Sequence, residues 1–317
     1  MIDLARWREA WAKHPARTAR GTRMQETLET HGMGSVEIFG AVAALSLLLA
    51  AEWELPLRKR SRPFFPRLAV NLALAVLAFL IASRLVLPAA LATAGWSSSR
   101  PFGLLALVPL PPLVQSALGF LLMDLGFYYW HLLNHCIGFL WRFHNVHHID
   151  PDLDLSTAVR FHFGEIFFST VFRIVQVAVI GVSAGTYFLY EAVFQANTLF
   201  QHSNVRLPIA LERMLNLILV TPRMHGIHHS AVRSDTNSDY SAVLSCWDRL
   251  HGTLRLNVPQ SRITIGIPAY LDPQDNTLWN CLRLPFAKQR DYWRFPDGTR
   301  AARDPQELEA RPARLAE

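Results

Sequence analysis

Uncharged apolar runs alternate with polar, histidine-rich stretches along the whole chain. Residues 38–51 form a short apolar run closed by Glu52 and Trp53. Residues 68–96 form a second, interrupted only by Arg84. Residues 102–123 carry no charge, and Pro109, Pro111 and Pro112 should split them, because proline removes a backbone donor and clashes with the preceding turn. Residues 166–200 form the longest run, with Arg173 and Glu191 as exceptions. One helix of that length would be about 50 Å long, well beyond an apolar bilayer core of about 30 Å. Gly181 and Gly185 lie near its middle and predict a hairpin. The run at 38–51 is short for a span of about 20 residues.

This pattern predicts an all-α integral membrane protein with about four transmembrane helices or hairpin segments. The polar stretches at 124–165 and 202–260 would form a helical cap on one face. The division expected is a basic N-terminal arm at 1–35, a membrane-embedded domain at 36–260 and a C-terminal extension at 261–317. In the arm, Leu4, Trp7 and Trp11 share one helical face beside Arg6, Arg8 and Lys13, as in an interfacial helix. Residues 306–315 could form a short surface helix.

Composition fits that reading. Of 317 residues, 51% are hydrophobic and only 18% charged, against about 25% charged in an average soluble domain. The formal net charge of +6 suits anionic headgroups. No basic, aromatic-interleaved soluble module suggests nucleic acid. Cys136, Cys246 and Cys281 show no paired spacing and read as free thiols. The first 30 residues lack the apolar stretch of a secretory leader, so none is expected. Arg58, Lys59, Arg60, Arg62 and Arg67 place their loop in the cytoplasm by the positive-inside rule.

The histidines carry the chemistry. Eleven of 13 lie between positions 131 and 251. His131 and His135 form HxxxH; His144, His147 and His148 form HxxHH; His225, His228 and His229 form a second HxxHH. Residues three and four apart share a helix face, so each cluster offers two or three imidazoles to one side. With His202 the set reaches nine, too many for one ion and apt for two ions with four or five each. Imidazole suits iron, zinc, copper and nickel. Closed structural zinc sites use four ligands, typically with cysteine, so a two-metal catalytic centre is expected, with iron the better fit. His162 is a further candidate ligand. His14, His31 and His251 read as ordinary polar residues.

The motifs resemble those of the fatty acid hydroxylase/sterol desaturase superfamily of membrane di-iron oxygenases. Asp124 precedes Tyr129-Trp130-His131, and Trp141-Arg142-Phe143-His144 leads into the first HxxHH. Ser156-Thr157-Ala158, Arg160, His162 and Glu165 match another segment, as do Phe200, His202, Asn204 and Pro208. Pro222-Arg223-Met224-His225 opens the last box, and Asn237–Tyr240 with Trp247–Thr253 resemble its closing signals. The first box reads HLLNH where many relatives have HRxxH, and Phe163 stands where proline is common. A family variant has another histidine at the position of Thr198; here His162 or a water would fill that gap.

The resemblance implies a di-iron centre held by His131, His135, His144, His147, His148, His202, His225, His228 and His229, with O2 as co-substrate. The enzyme would hydroxylate or desaturate a lipid C–H bond in a sterol, fatty acyl chain, ether lipid or carotenoid. Electrons would come from a separate ferredoxin- or cytochrome-type partner. Asp124, Glu165, Asp239 and Asp248 are candidates to orient ligand rings, since a ligating histidine usually donates its other N–H to a carboxylate or carbonyl. Asp124 lies two turns before His131 on the same face, and Asn204 could hold a metal-bound water. The histidine boxes would lie on the cytoplasmic side. A metal-ion transporter and a di-zinc membrane hydrolase are the competing readings of the same clusters.

Overall fold

The computed structural model describes residues 35–100, 102–256 and 258–303, with side chains from residue 43 onward. The N-terminal arm, His14, His31 and the segment 306–315 lie outside the described residues. Contacts divide the chain into residues 1–50 and 51–317. Helix α1 (Ser35–Glu54) runs through the division, and the other described elements belong to the second unit.

Helix α2 (Phe64–Ile81) continues through a π-helical stretch at Ala82–Val86 into α3 (Leu87–Ser98). Pro88 explains the widened turn. It offers no N–H to Arg84, and its ring presses on that carbonyl, so the ladder loosens just before it. Residues 64–98 and helix α6 (Phe163–Ile180) are long and apolar enough to cross a membrane. Only 17% and 33% of their most apolar windows are buried inside the protein, which is not how a core helix of a soluble protein behaves. Phe79 on α2 and Val171 on α6 face outward, while Leu74 and Val177 pack inward.

The prolines break the 102–123 run as expected. A 3-10 turn at Leu104–Ala106 precedes helix α4 (Pro112–Cys136), and Pro112 sits in the helix's first turn where its missing N–H costs nothing. The predicted hairpin also forms. Helix α6 ends at Gly181, whose left-handed φ of 78° closes the last turn. Ser183 caps helix α7 (Ala184–His202) by accepting from the Thr186 N–H. A Cβ on Gly181 would meet the Phe102 carbonyl, so the turn and the 102–103 loop touch backbone to backbone. The hairpin returns the chain to the side where it began, and the start of α6 and the end of α7 meet at one site.

The remaining helices are shorter: α5 (Gly138–His148), α8 (Ile209–Leu215), α9 (Pro222–His228), α10 (Arg233–Thr236), α11 (Cys246–His251) and α12 (Leu278–Arg283). No strand longer than an isolated bridge occurs among the described residues. One core joins Ala90, Met123, Val177, Tyr187 and Tyr190 between the long helices. In a second, Leu74, Trp141, Val146 and Ile149 meet Tyr270, Cys281 and Leu284. The segment after residue 260 is therefore built into the same core as α5.

Candidate metal centre

Three helices bring the histidine boxes to one place. His131 and His135 stand on the last turns of α4, the first HxxHH ends α5, and His225 and His228 lie on α9, with His229 as its cap. His202 arrives from the last turn of α7. The nine rings fall into two groups. His131, His135, His144, His148 and His228 form one, and His147, His202, His225 and His229 form the other. Within each group, one ring nitrogen per residue lies within 4.8 Å of all the others.

The outer nitrogens define the tautomers. The Nδ1–H of His131 donates to the Tyr240 carbonyl (2.9 Å), that of His147 to Arg160 (3.2 Å), that of His202 to Thr198 (2.7 Å) and that of His228 to Ser238 (2.7 Å). His144 donates its Nδ1–H to Glu165 Oε1 at 2.9 Å. A neutral ring that spends its proton on Nδ1 presents a bare lone pair at Nε2. Nε2 atoms nonetheless approach closely. His147 and His202 are 3.0 Å apart, His202 and His225 2.9 Å, His225 and His229 3.1 Å, and His144 and His148 3.2 Å. An ion bonded to nitrogen at about 2.1 Å sets adjacent ligand atoms about 3.0 Å apart in right-angled coordination and about 3.4 Å apart in tetrahedral. The spacing fits a cation between the rings.

Burial strengthens that fit. It pushes the pKa of His147, His148, His225 and His229 well below the ordinary histidine value, helped by neighbouring rings, and that of His228 down to about 3. The rings stay neutral and able to bind metal at neutral pH. Phe161 stacks on His147 with centroids 4.7 Å apart. Trp141 lies against His135 and His148 at 4.8 and 5.3 Å. These apolar faces limit water at the rings.

The other candidates take varied places. Glu165 holds the His144 ring directly. Asp124 accepts from the Trp247 indole N–H (2.8 Å) and the Leu244 N–H (3.0 Å), with the Tyr190 hydroxyl at 3.4 Å, rather than from a histidine. Asp248 accepts from the Tyr240 and Ser241 amides, and so steadies the loop whose Tyr240 carbonyl holds His131. Asp239 sits at a positive φ of 53° and accepts from the Arg255 amide; burial raises its pKa. Asn204 exchanges hydrogen bonds with the backbone of Arg58 at 2.9 and 2.8 Å, so its amide is committed away from the rings. His162 stands outside both groups. Its Nδ1 caps α6 by accepting from Gly164, and its Nε2–H donates to the Leu282 carbonyl. It does not fill the gap at Thr198. His251 meets Tyr129 and the Trp247 carbonyl, in keeping with a structural part.

One contributor carries no motif of its own. The fully buried Arg160 donates to the Val146 carbonyl, Asn71 and Asn276, and lies 3.1 Å from Cys281 Sγ, while its own carbonyl orients His147. Its place inside the matched STA-x-R-x-H segment was the available signal. The carbonyls of Tyr240, Ser238 and Thr198 left none, since any residue type supplies a carbonyl.

Comparison with known proteins agrees with these motifs. Residues 116–253 match the fatty acid hydroxylase family model. The ornithine lipid hydroxylase OlsE of Rhizobium tropici is 33% identical over 50% of this chain and 46% of its own. The human alkylglycerol monooxygenase is 34% identical over 42% of this chain and 29% of its own. The mouse cholesterol 25-hydroxylase is 29% identical over 46% of this chain and 49% of its own. The chain thus spans less than half the length of these relatives. No solved structure matches it. The resemblance read from the histidine boxes is borne out over the segment that contains them.

Proposed function

We propose that the protein is a membrane-bound di-iron oxygenase that hydroxylates or desaturates an aliphatic C–H bond of a lipid, using O2 and electrons from a separate ferredoxin- or cytochrome-type donor. The observation that carries this reading is the set of nine inward imidazoles in groups of five and four. The three relatives are named for an ornithine lipid, an alkylglycerol and cholesterol. These lipids share little but aliphatic carbon beside a polar group, and all three names denote hydroxylation or monooxygenation, which favours hydroxylation here.

The chain's own residues prepare the centre. His131, His135, His144, His148 and His228 would hold one iron, and His147, His202, His225 and His229 the other. Bound iron would supply the reduction of O2 and the cleavage of the C–H bond. Glu165 draws on the Nδ1 proton of His144 and raises the donor strength of its Nε2. Four main-chain carbonyls do the same, without charge, for His131, His147, His202 and His228. Trp141 and Phe161 keep bulk water from the ring faces. No carboxylate falls in either group, which argues against a di-zinc hydrolase of the usual mixed-ligand type.

The arrangement proposed in the membrane has about four crossing or hairpin segments, with α2–α3 and α4 as one pair and α6–α7 as another. The basic loop lies on the histidine side, since Arg67 pairs with Asp150 at 2.8 Å. The positive-inside rule then places the cap in the cytoplasm. The decisive experiment is metal analysis of protein purified with iron supplied and zinc kept low, followed by a lipid screen for O2-dependent products. About two irons per chain and an oxidised lipid are expected. Two tightly held zincs without iron would refute the reading.

A further inference from the structure

A file of tyrosine rings leads away from the metal centre, on the side where α4 meets α11. Tyr240 is buried, and its ring lies against three members of the five-histidine group. Its centroid is 5.3 Å from that of His135 and 5.9 Å from those of His131 and His228. Tyr128, also buried, follows at 6.2 Å from Tyr240. Tyr129 follows at 5.4 Å from Tyr128 and is 44% exposed. Three tyrosines in ring contact thus join the centre to the protein surface.

The file ends on a base. His251 is exposed at the end of α11, and its Nδ1–H donates to the Trp247 carbonyl at 2.8 Å. A neutral ring with its proton on Nδ1 has a bare lone pair at Nε2. That atom accepts from the Tyr129 hydroxyl at 2.9 Å. The His251 ring also stacks on Tyr128, with centroids 4.5 Å apart. The Tyr128 hydroxyl has another partner. Thr253 donates its own proton to Asp248 Oδ1 at 2.6 Å, so Tyr128 donates to Thr253 Oγ1 at 3.1 Å. Packing alone asks only for rings, which phenylalanine supplies. The Tyr129–His251 pair adds what oxidation of a phenol requires, an acceptor for the proton that leaves with the electron.

We propose that Tyr240, Tyr128 and Tyr129, with His251, form an outlet for oxidising equivalents from the metal centre, an inference that rests on the oxygenase reading. When O2 is reduced there with no C–H bond in reach, an oxidising equivalent remains beside the histidine rings. Tyr240 is the phenol in contact with those rings and gives up an electron, which Tyr128 and then Tyr129 replace. The net change falls on the surface pair. One electron enters the centre, the Tyr129 O–H bond breaks, its proton moves to His251 Nε2, and a neutral phenoxyl radical stays on Tyr129. A water-soluble reductant, such as ascorbate or a thiol, returns one electron, and His251 returns the proton. Phenols yield electrons only to strong oxidants, so the file carries oxidation outward rather than donor electrons inward.

The test uses full-length, iron-loaded protein in detergent, reduced with dithionite and then exposed to O2 with no lipid substrate added. Freeze-quenched electron paramagnetic resonance reports tyrosyl radical, and peptide mass spectrometry locates the oxidised side chains. Iron content is measured on the same samples. Wild type should give a tyrosyl signal, with oxidation concentrated at Tyr129 and suppressed by ascorbate. Tyr128→Phe keeps the ring but interrupts the file, and should lower Tyr129 oxidation several-fold. His251→Gln keeps a hydrogen-bond acceptor but removes the base, and should lower radical yield by about tenfold or more with iron content unchanged. Tyr129→Phe should move oxidation back to Tyr128 and Tyr240. These two exposed positions carry the test if Tyr128→Phe fails to fold. Bound iron with no tyrosyl signal, or a signal unmoved by Tyr129→Phe and His251→Gln, overturns the proposal. So does oxidation centred on Trp293, which stacks on Trp141 at the opposite wall of the five-histidine group. Absence of bound iron overturns the oxygenase reading and the outlet with it, so iron content tells the two failures apart.

Discussion

His147 and His202 point their Nε2 atoms at one another across 3.0 Å, while each donates its Nδ1–H to a main-chain carbonyl. Neither neutral ring has a proton left for the other. Two facing lone pairs at that distance repel unless a cation lies between them. His147→Ala should therefore lower bound metal and cut activity by more than a hundredfold. His228→Ala should do the same from the other group. Elemental analysis and turnover on the same samples check this, with circular dichroism unchanged. Full metal content in either variant would refute the ligand assignment.

Glu165 tests the influence of an outer carboxylate. Glu165→Gln keeps an acceptor for the His144 Nδ1–H but removes the charge. Loss of such a partner typically costs ten- to a hundredfold in metal affinity, and a loss near the lower end is expected. Glu165→Ala, which removes the acceptor, should lose more. Competition with a chelator of known affinity measures both.

The metal-stripped protein should lose stability in acid. Burial keeps its rings neutral where free histidine protonates, below about pH 6.5. Under those conditions the unfolded chain binds more protons than the folded one, so stability falls as pH drops through that value. The fall continues until the folded rings protonate, near pH 3 for His228. Each ring that stays neutral contributes up to about 1.4 kcal/mol per pH unit. The unfolding midpoint should drop between about pH 7 and 5.5 and change little above that range. A flat profile across the range would contradict the buried, neutral state of the rings.

Gly181 tests the hairpin apart from the centre. Its left-handed φ of 78° disfavours any side chain, and a Cβ would lie 2.7 Å from the Phe102 carbonyl. Gly181→Ala should destabilise the fold by about 1–2 kcal/mol for the backbone conformation alone, with further cost from the collision. Metal stoichiometry of the folded fraction should not change. Reduced metal per folded chain would mean that the turn communicates with the site.

Local spacing made the histidine boxes legible, because three- and four-residue intervals on α4, α5 and α9 fix which rings share a face. The hairpin was legible because one unbroken helix at 166–200 would have outrun a bilayer. Long-range partners were not legible. Asp124 lies two turns before His131 and read as its companion, yet Trp247 and Leu244, more than a hundred residues later, occupy its carboxylate. Asn204 follows His202 closely but turns to the Arg58 backbone. The C-terminal extension gave no hint that Trp293 stacks on Trp141 or that Asn276 holds Arg160. Such pairings depend on where distant segments meet, which periodicity does not encode.

That last attachment bears on how the protein is made. Arg160 orients His147, and its side chain is gripped by Asn276 and Cys281. Trp141, which walls His135 and His148, is covered by Tyr292 and Trp293. All four residues lie beyond 253, where the family match stops. A ribosome that has just completed the last histidine box has made all nine rings but not the frame that sets them. Metal capture in the finished geometry must therefore wait for the following sixty residues or so, through Trp293, to emerge, and a fragment trimmed to the matched segment would carry all nine rings without the means to hold them in register.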